Sequence, residues 1–147
     1  MIKASHGQRG VALVEIAIIL PFLLLLAIGA IEIGRFANYA NIAANAAHAG
    51  VQWGAQSLST ASNNPGMVNA ATLDWGTATG LSPSPSHYCQ CSDGTSSTCL
   101  STDCPLPLHR ILWVKVIVTG SLTSLLAYPG LPRTFTITKT AIMRVDN

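Results

Sequence analysis

Residues 9–21 read RGVALVEIAIILP, and a single carboxylate, Glu15, stands inside this otherwise apolar run. No charged residue occurs from Ile16 to Ile31, so the apolar stretch reaches the roughly 20 residues that cross a bilayer as a helix. A carboxylate in such a helix costs about 2.5–3.5 kcal/mol at the helix centre and less near an end. We therefore predict a transmembrane helix over residues 11–34, in which Glu15 meets a positively charged partner after processing or assembly.

Positive charge precedes this span. Lys3 and Arg9 lie before it, and the first ten residues include no acidic side chain. Positively charged flanks are retained on the cytoplasmic side of a membrane. We therefore expect residues 1–10 to be a cytoplasmic leader, the span to cross the inner membrane once, and residues 35–147 to face the periplasm.

Length, charge and motifs exclude several classes of function. The chain has 147 residues and a net charge of +2, with no cluster in which Lys or Arg alternates with aromatic residues. After the leader and the span, roughly 100 residues are left, which is enough for one small domain. A nucleic-acid partner is not expected. Since hydrolase, zinc-protease, phosphate-loop and dinucleotide motifs are missing, we predict neither catalysis, nor a cofactor, nor a small-molecule substrate.

The helix is expected to continue beyond the span, over residues 35–57, because this stretch is rich in Ala and has no proline. Small residues recur there at spacings of three and four, which allows close approach of other backbones. They are Ala37, Ala40, Ala43, Ala44, Ala47, Gly50 and Gly54. Two interpretations remain open: the stripe packs only on the sheet of its own domain, or it also contacts neighbouring subunits.

Two segments have the pattern of strands. Residues 111–119 are rich in β-branched side chains, and residues 134–145 alternate apolar residues with threonine. Tyr128-Pro129-Gly130 indicates a turn between them. Together with the long helix, these segments predict an α+β fold, in which a small antiparallel sheet is laid on the outer half of the helix.

Weaker signals lie between the helix and the strands. Asn64 followed by Pro65 is typical of a helix N-cap and first turn, and Gly80 would end that helix. Residues 82–85, which read SPSP, are predicted as a loop, and residues 87–91 as a strand.

Four cysteines occupy one polar loop, residues 89–104, beyond the membrane. They are Cys89, Cys91, Cys99 and Cys104. In an oxidising compartment, they are expected to form two disulfides. A bond between Cys89 and Cys91 would close a strained ring, which leaves two pairings open, and the nested one suits a hairpin. A four-thiolate zinc site is the alternative, although the cysteine spacing is unusual for zinc.

The N-terminal residues resemble those of the TadE-like proteins, minor pilins (pseudopilins) of the tight-adherence pilus system. The resemblance rests on Arg9-Gly10, on residues 11–15, on Pro21 and on residues 31–35, which read IEIGR. Later features agree: the Cys-x-Cys pair followed by Asp93-Gly94, the Val-rich strand, and a last strand ending AIMRV. The resemblance implies a pilin-like domain over residues 35–147.

The resemblance also implies processing. In the wider type IV pilin group, a prepilin peptidase cleaves after a glycine, and a glutamate follows at the fifth mature position, which Gly10 and Glu15 match. Cleavage would create an α-amino group on Val11, four residues before Glu15 on one helical face. Pro21 removes one helical hydrogen bond and predicts a kink or local melting. The implied partners are the prepilin peptidase, other pilins and the proteins of the pilus assembly platform.

The resemblance predicts a minor pilin that takes part in assembling a tight-adherence pilus and supports surface attachment and biofilm formation. One alternative is a single-pass envelope protein whose domain binds a partner and never enters a filament. The other is a secreted protein cut by ordinary signal peptidase near residues 27–30. The carboxylate of Glu15 argues against this last alternative, because a signal peptide has no use for it.

Overall fold

The computed structural model describes residues 6–76, 78–100, 102–126 and 132–145, and for residues 6–10 it describes the backbone alone. Within these ranges, the secondary structure consists of α1 (His6–Gly54), α2 (Leu58–Ala61), α3 (Asn64–Trp75), β1 (Leu81–Cys91), β2 (Ser96–Ser97), β3 (Arg110–Thr123) and β4 (Thr134–Arg144). The predicted α+β class, a long N-terminal helix followed by a small domain with an antiparallel sheet, is confirmed.

The chain divides into two compact units between Phe36 and Ala37. The first, here called the apolar unit, has a mean hydropathy of 2.9 over its most apolar 18-residue window, none of which is buried. By length and composition, α1 is able to cross a membrane. It stays helical through Pro21, so the local melting predicted there is not observed. Helices in apolar surroundings tolerate proline, because nearby groups satisfy the freed carbonyl.

The second unit, here called the folded domain, begins at Ala37 and uses the small residues of α1 for close packing. A Cβ atom built on Gly50 would lie 3.2 Å from Val116 Cγ2, and one built on Gly54 would lie 2.9 Å from Val114 Cγ1. The predicted small-residue stripe therefore packs on the sheet of its own domain. Contact of the same stripe with neighbouring subunits stays a prediction.

The sheet has the strand order β2-β1-β3-β4, and every neighbouring pair is antiparallel. Val114, Val116 and Val118 of β3 are fully buried on the side that packs against α1. Because side chains alternate along a strand, the residues between them lie on the opposite side, here called the outer face. It consists of Ser82, Ser84, Ser86, Tyr88, Ile111, Trp113, Lys115, Ile117, Thr119, Thr138, Thr140, Ile142 and Arg144.

The loop predicted over residues 82–85 is wrong, because β1 begins at Leu81 and pairs with β3 along its whole length. Pro83 lies opposite Val118, and Pro85 lies opposite Val116. In an antiparallel sheet, residues two apart point their N–H and C=O groups toward the same side of the strand. The N–H groups that Pro83 and Pro85 lack would therefore both lie on one side of β1. On that side, β2 pairs with Cys89 and Gln90, and no other strand of the described ranges pairs with β1 there, so both prolines lie at an open edge.

The first and last residues of the short helices differ from the predicted ones because of local capping. The N-cap of α3 is Asn63 rather than Asn64, since the side-chain oxygen of Asn63 accepts a hydrogen bond of 3.0 Å from Gly66 N. The helix ends at Trp75, and Gly76 follows with a positive φ, so it stops before Gly80. The short helix α2 was not predicted, and it begins with a capping box at Ser57.

Two predicted features lie outside the described residues. They are the turn at residues 128–130 and the part of the leader that contains Lys3.

Candidate functional site

The predicted processing residues lie in the N-terminal part of α1. Gly10, Val11 and Glu15 are all helical, so Val11 and Glu15 lie one turn apart on the same face. Glu15 is exposed, and among the described side chains it has no hydrogen bond or ion pair. The geometry therefore leaves its carboxylate free to accept a partner from elsewhere. Whether Gly10 is cleaved and whether Glu15 pairs with Val11 stay predictions.

The apolar unit also holds one ion pair. Arg35 Nη1 lies 2.9 Å from Glu32 Oε2, one helical turn away. Glu32 and Arg35 lie at the C-terminal end of the apolar stretch. Their pairing lowers the free-energy cost of placing either charge near lipid.

All four cysteines of the loop form disulfides, as predicted. Cys89 is bonded to Cys99 and Cys91 to Cys104, with Cα–Cα distances of 5.1 Å and 5.6 Å. The pairing is interleaved, and the nested alternative is not the one observed. Cys89 and Cys91 lie two apart on β1 with their side chains buried, which ties the loop to the sheet. No thiolate is left for the alternative zinc site.

A carboxylate organises the inside of this loop. Asp103 Oδ2 accepts hydrogen bonds from Thr98 N at 2.6 Å, from Thr98 Oγ1 at 2.6 Å and from Ser97 Oγ at 3.0 Å. The side-chain hydrogen bond from Thr98 is the largest cause that holds the pKa of Asp103 below its ordinary value. At the loop tip, the backbone and side-chain hydrogen bonds from Thr95 likewise lower the pKa of Asp93.

A basic cleft lies beside the loop, where β3 begins and β4 ends. Arg110, at the start of β3, donates a hydrogen bond from Nη1 to the carbonyl oxygen of Cys99, so the loop helps to position it. The cleft has a volume of about 130 Å³. It is lined by Leu58, His109, Arg110, Ile111, Leu112, Arg144 and Val145. Two of the lining residues are arginines, a residue type that binds small anionic groups.

An aromatic pair lies next to this cleft on the outer face. Tyr88 and Trp113 are directly opposite on neighbouring strands, with ring centroids 6.5 Å apart and ring planes at 13°. Arg144 lies opposite Trp113 on the other side, and Lys115 follows two residues along β3. The Nε1 atom of Trp113 is buried without a hydrogen-bond partner among the described residues.

The site residues predicted from the sequence lie in α1 and in the cysteine loop. The aromatic and basic surface was not predicted. Gly10, Val11 and Glu15 fall in the apolar unit, whereas the four cysteines fall in the folded domain. The sequence does place Trp113 and Lys115 on the face of their strand away from the core. Their neighbours Tyr88 and Arg144 depend on strand register, which a single strand does not reveal.

The model of the TadE-like protein family matches residues 10–52, which confirms the resemblance of the N-terminal segment. No curated protein and no solved structure matches the chain.

Proposed function

We propose that this chain is a minor pilin, or pseudopilin, that takes part in assembling a tight-adherence pilus and thereby supports surface attachment and biofilm formation. The observation that carries the proposal is the TadE-like match, which begins at Gly10 and includes Val11 and Glu15. Minor pilins of this family are structural proteins, so the chain would act by association rather than by catalysis. Its partners would be the prepilin peptidase, other pilins and the assembly platform.

The physical basis of the proposal is a charge created by processing. Cleavage after Gly10 would give Val11 an α-amino group with an ordinary pKa of about 8, which is protonated at neutral pH. Glu15 lies one turn away and is unpaired among the described side chains. In a medium of low dielectric constant, the attraction between the two charges is far stronger than in water. The ion pair between the Val11 amino group and the Glu15 carboxylate would form within one subunit, or between neighbouring subunits when they assemble.

The orientation follows from the same segment. With Lys3 and Arg9 on the cytoplasmic side of the inner membrane, the cleavage site would lie at the rim where a membrane-embedded peptidase reaches it. The folded domain would face the periplasm, where its disulfides form.

The proposal is tested by the mass of the mature N-terminus together with a pilus-dependent attachment assay. We expect the native chain to begin at Val11, and Gly10→Leu to stay uncleaved, because a side chain blocks the close approach of the backbone to the protease. Glu15→Gln keeps the size of the side chain but removes its charge. It should insert and be processed normally, yet fail to support attachment.

Glu32→Gln is the matched control, because it removes a carboxylate from the same helix that already has Arg35 as its partner. It should support attachment. A native chain that begins at Met1, together with normal attachment by Glu15→Gln, would contradict the pilin mechanism. That result would favour the alternative, a single-pass envelope protein that binds a partner outside any filament.

A further inference from the structure

The outer face meets the basic cleft at Arg144 and Ile111. Arg144 lines the cleft and is also the cross-strand neighbour of Trp113, and Ile111 of the cleft wall is two residues from Trp113 on β3. Lys115 extends the positive charge along the same strand. Neighbouring side chains in a sheet are about 5–7 Å apart. A single extended ligand along the outer face is therefore able to contact Arg144, the aromatic pair and Lys115 at the same time.

No described carboxylate forms an ion pair with the cations of this surface. Asp93 and Asp103 accept hydrogen bonds from side chains of their own loop. Asp74 belongs to α3, and it is not among the residues that line the cleft. Arg144 is exposed, and among the described residues it has no ion pair. The surface therefore has positive charge available for an external anion.

The rest of the outer face is uncharged and combines hydroxyl groups with the apolar side chains of Ile117 and Ile142. It presents a row of serines on β1, of which Ser86 lies opposite Lys115, and two threonines on β4. These are Ser82, Ser84, Ser86, Thr138 and Thr140, all exposed. A ligand that lies along the strands would meet cations and aromatic rings at one end and hydroxyl groups along its length.

We infer that this surface binds an acidic polysaccharide. Uronic-acid sugars carry a carboxylate that an arginine binds with two parallel hydrogen bonds, apolar ring faces that pack on Tyr88 and Trp113, and hydroxyl groups that match the serine and threonine rows. Nucleic acid fits less well, because its dense phosphates need many cations, whereas this chain has a net charge of only +2. The inference does not depend on pilus assembly, since it concerns the folded domain.

The test measures binding of the full chain in detergent to polygalacturonate, with dextran as the neutral polymer and single-stranded DNA as the competing polyanion. We expect polygalacturonate to bind and dextran not to bind. Arg144→Gln and Lys115→Gln should each weaken binding about tenfold, as expected for the loss of a hydrogen bond between charged groups. Tyr88→Leu, which keeps an apolar side chain but removes the ring, should weaken it as well.

Lys139→Gln is the matched control, because Lys139 is an exposed lysine of the same sheet that lies opposite Val118, off the outer face. It should change the affinity by less than about twofold. Circular dichroism and full protection of the cysteines from alkylation would establish that each variant is folded. Equal binding of dextran, equal weakening by Lys139→Gln, or tighter binding of single-stranded DNA would each overturn the inference.

Discussion

Single residues decide how closely the elements of the folded domain approach each other. Gly54 shows this within α1, because a Cβ atom there would lie 2.5 Å from Met67 Sδ and 2.9 Å from Val114 Cγ1. Met67 is flexible, but Val114 belongs to the central strand and is fully buried. Gly50 is less constrained, with its nearest neighbour, Val116 Cγ2, at 3.2 Å.

We therefore expect Gly54→Ala to lower the free energy of unfolding of the folded domain. Overpacking costs about 1–3 kcal/mol, and the better helix propensity of alanine offsets about 1 kcal/mol of that. Gly50→Ala should have a smaller effect. Gly34→Ala is the control, because an added Cβ at Gly34 would meet nothing within 4 Å. In thermal unfolding followed by circular dichroism, the melting temperature should fall most for Gly54→Ala, less for Gly50→Ala and least for Gly34→Ala. A Gly54→Ala variant that melts like the native chain would contradict the packing.

The carboxylate of Asp103 is the second residue-scale feature, because it makes part of the fold depend on pH. Its folded pKa lies below the ordinary value of 3.8, mainly because of Thr98. The hydrogen-bonded carboxylate therefore stabilises the loop above pH 3.8, and this contribution is lost as the pH falls through the lower folded value.

We expect the carboxyl carbon of Asp103 to titrate below pH 3.8 when followed by NMR. Thr98→Val removes the side-chain donor and should raise this midpoint, while the midpoint of Asp93 stays the same. Thr95→Val should do the reverse, raising the midpoint of Asp93 alone. A midpoint for Asp103 that does not respond to Thr98→Val would show that the hydrogen bonds have another arrangement in solution.

Among the elements, the cysteine loop depends most on long-range bonds. Between Cys91 and β3, the described residues contain the two-residue strand β2 as their only regular structure, and two interleaved disulfides attach the loop to β1. The bonds join residues that are 10 and 13 positions apart. In the chain-entropy model, closing loops of that size stabilises the fold by roughly 3 kcal/mol for each bond.

Paired substitutions distinguish the interleaved arrangement from the nested one. Replacing Cys89 and Cys99 together by serine should leave Cys91–Cys104 intact, with no thiol that alkylates and a loss of roughly 3 kcal/mol. Replacing Cys89 and Cys104 together should instead leave Cys91 and Cys99 without their native partners. If the second variant, rather than the first, were fully protected from alkylation, the nested pairing would be correct.

At the scale of the whole molecule, the two units call for different surroundings. The apolar unit exposes large side chains along its length, from Val11 to Ile33, whereas the folded domain has a buried apolar core around α1 and β3. The folded domain also needs an oxidising compartment for its disulfides. A membrane anchor followed by a periplasmic domain satisfies both requirements.

We therefore expect a reporter that is active only outside the cytoplasm to be active when it is fused after Asn147. The physical reason is the positive charge of Lys3 and Arg9 ahead of the span. Replacing both residues by glutamate should reduce the active fraction. A silent periplasmic reporter, together with an active cytoplasmic reporter at the same place, would reverse the orientation.

The sequence by itself determined those features that depend on local composition. The apolar run and the Ala-rich stretch after it predict α1, the patterns of residues 111–119 and 134–145 predict β3 and β4, and four cysteines in one polar loop predict two disulfides. Each of these signals comes from periodicity or residue type within a short stretch. The same stretch around Gly10 and Glu15 also carries the family match.

Only the tertiary structure decided the features that depend on pairing between distant residues. Pro83 and Pro85 are compatible with β1 because one edge of that strand is free, which their own segment does not reveal. The choice between interleaved and nested disulfides depends on how the loop returns to β1. The aromatic and basic surface exists because the register of three strands places Tyr88, Trp113 and Arg144 side by side, and register is fixed by the packing of the whole sheet rather than by any single strand.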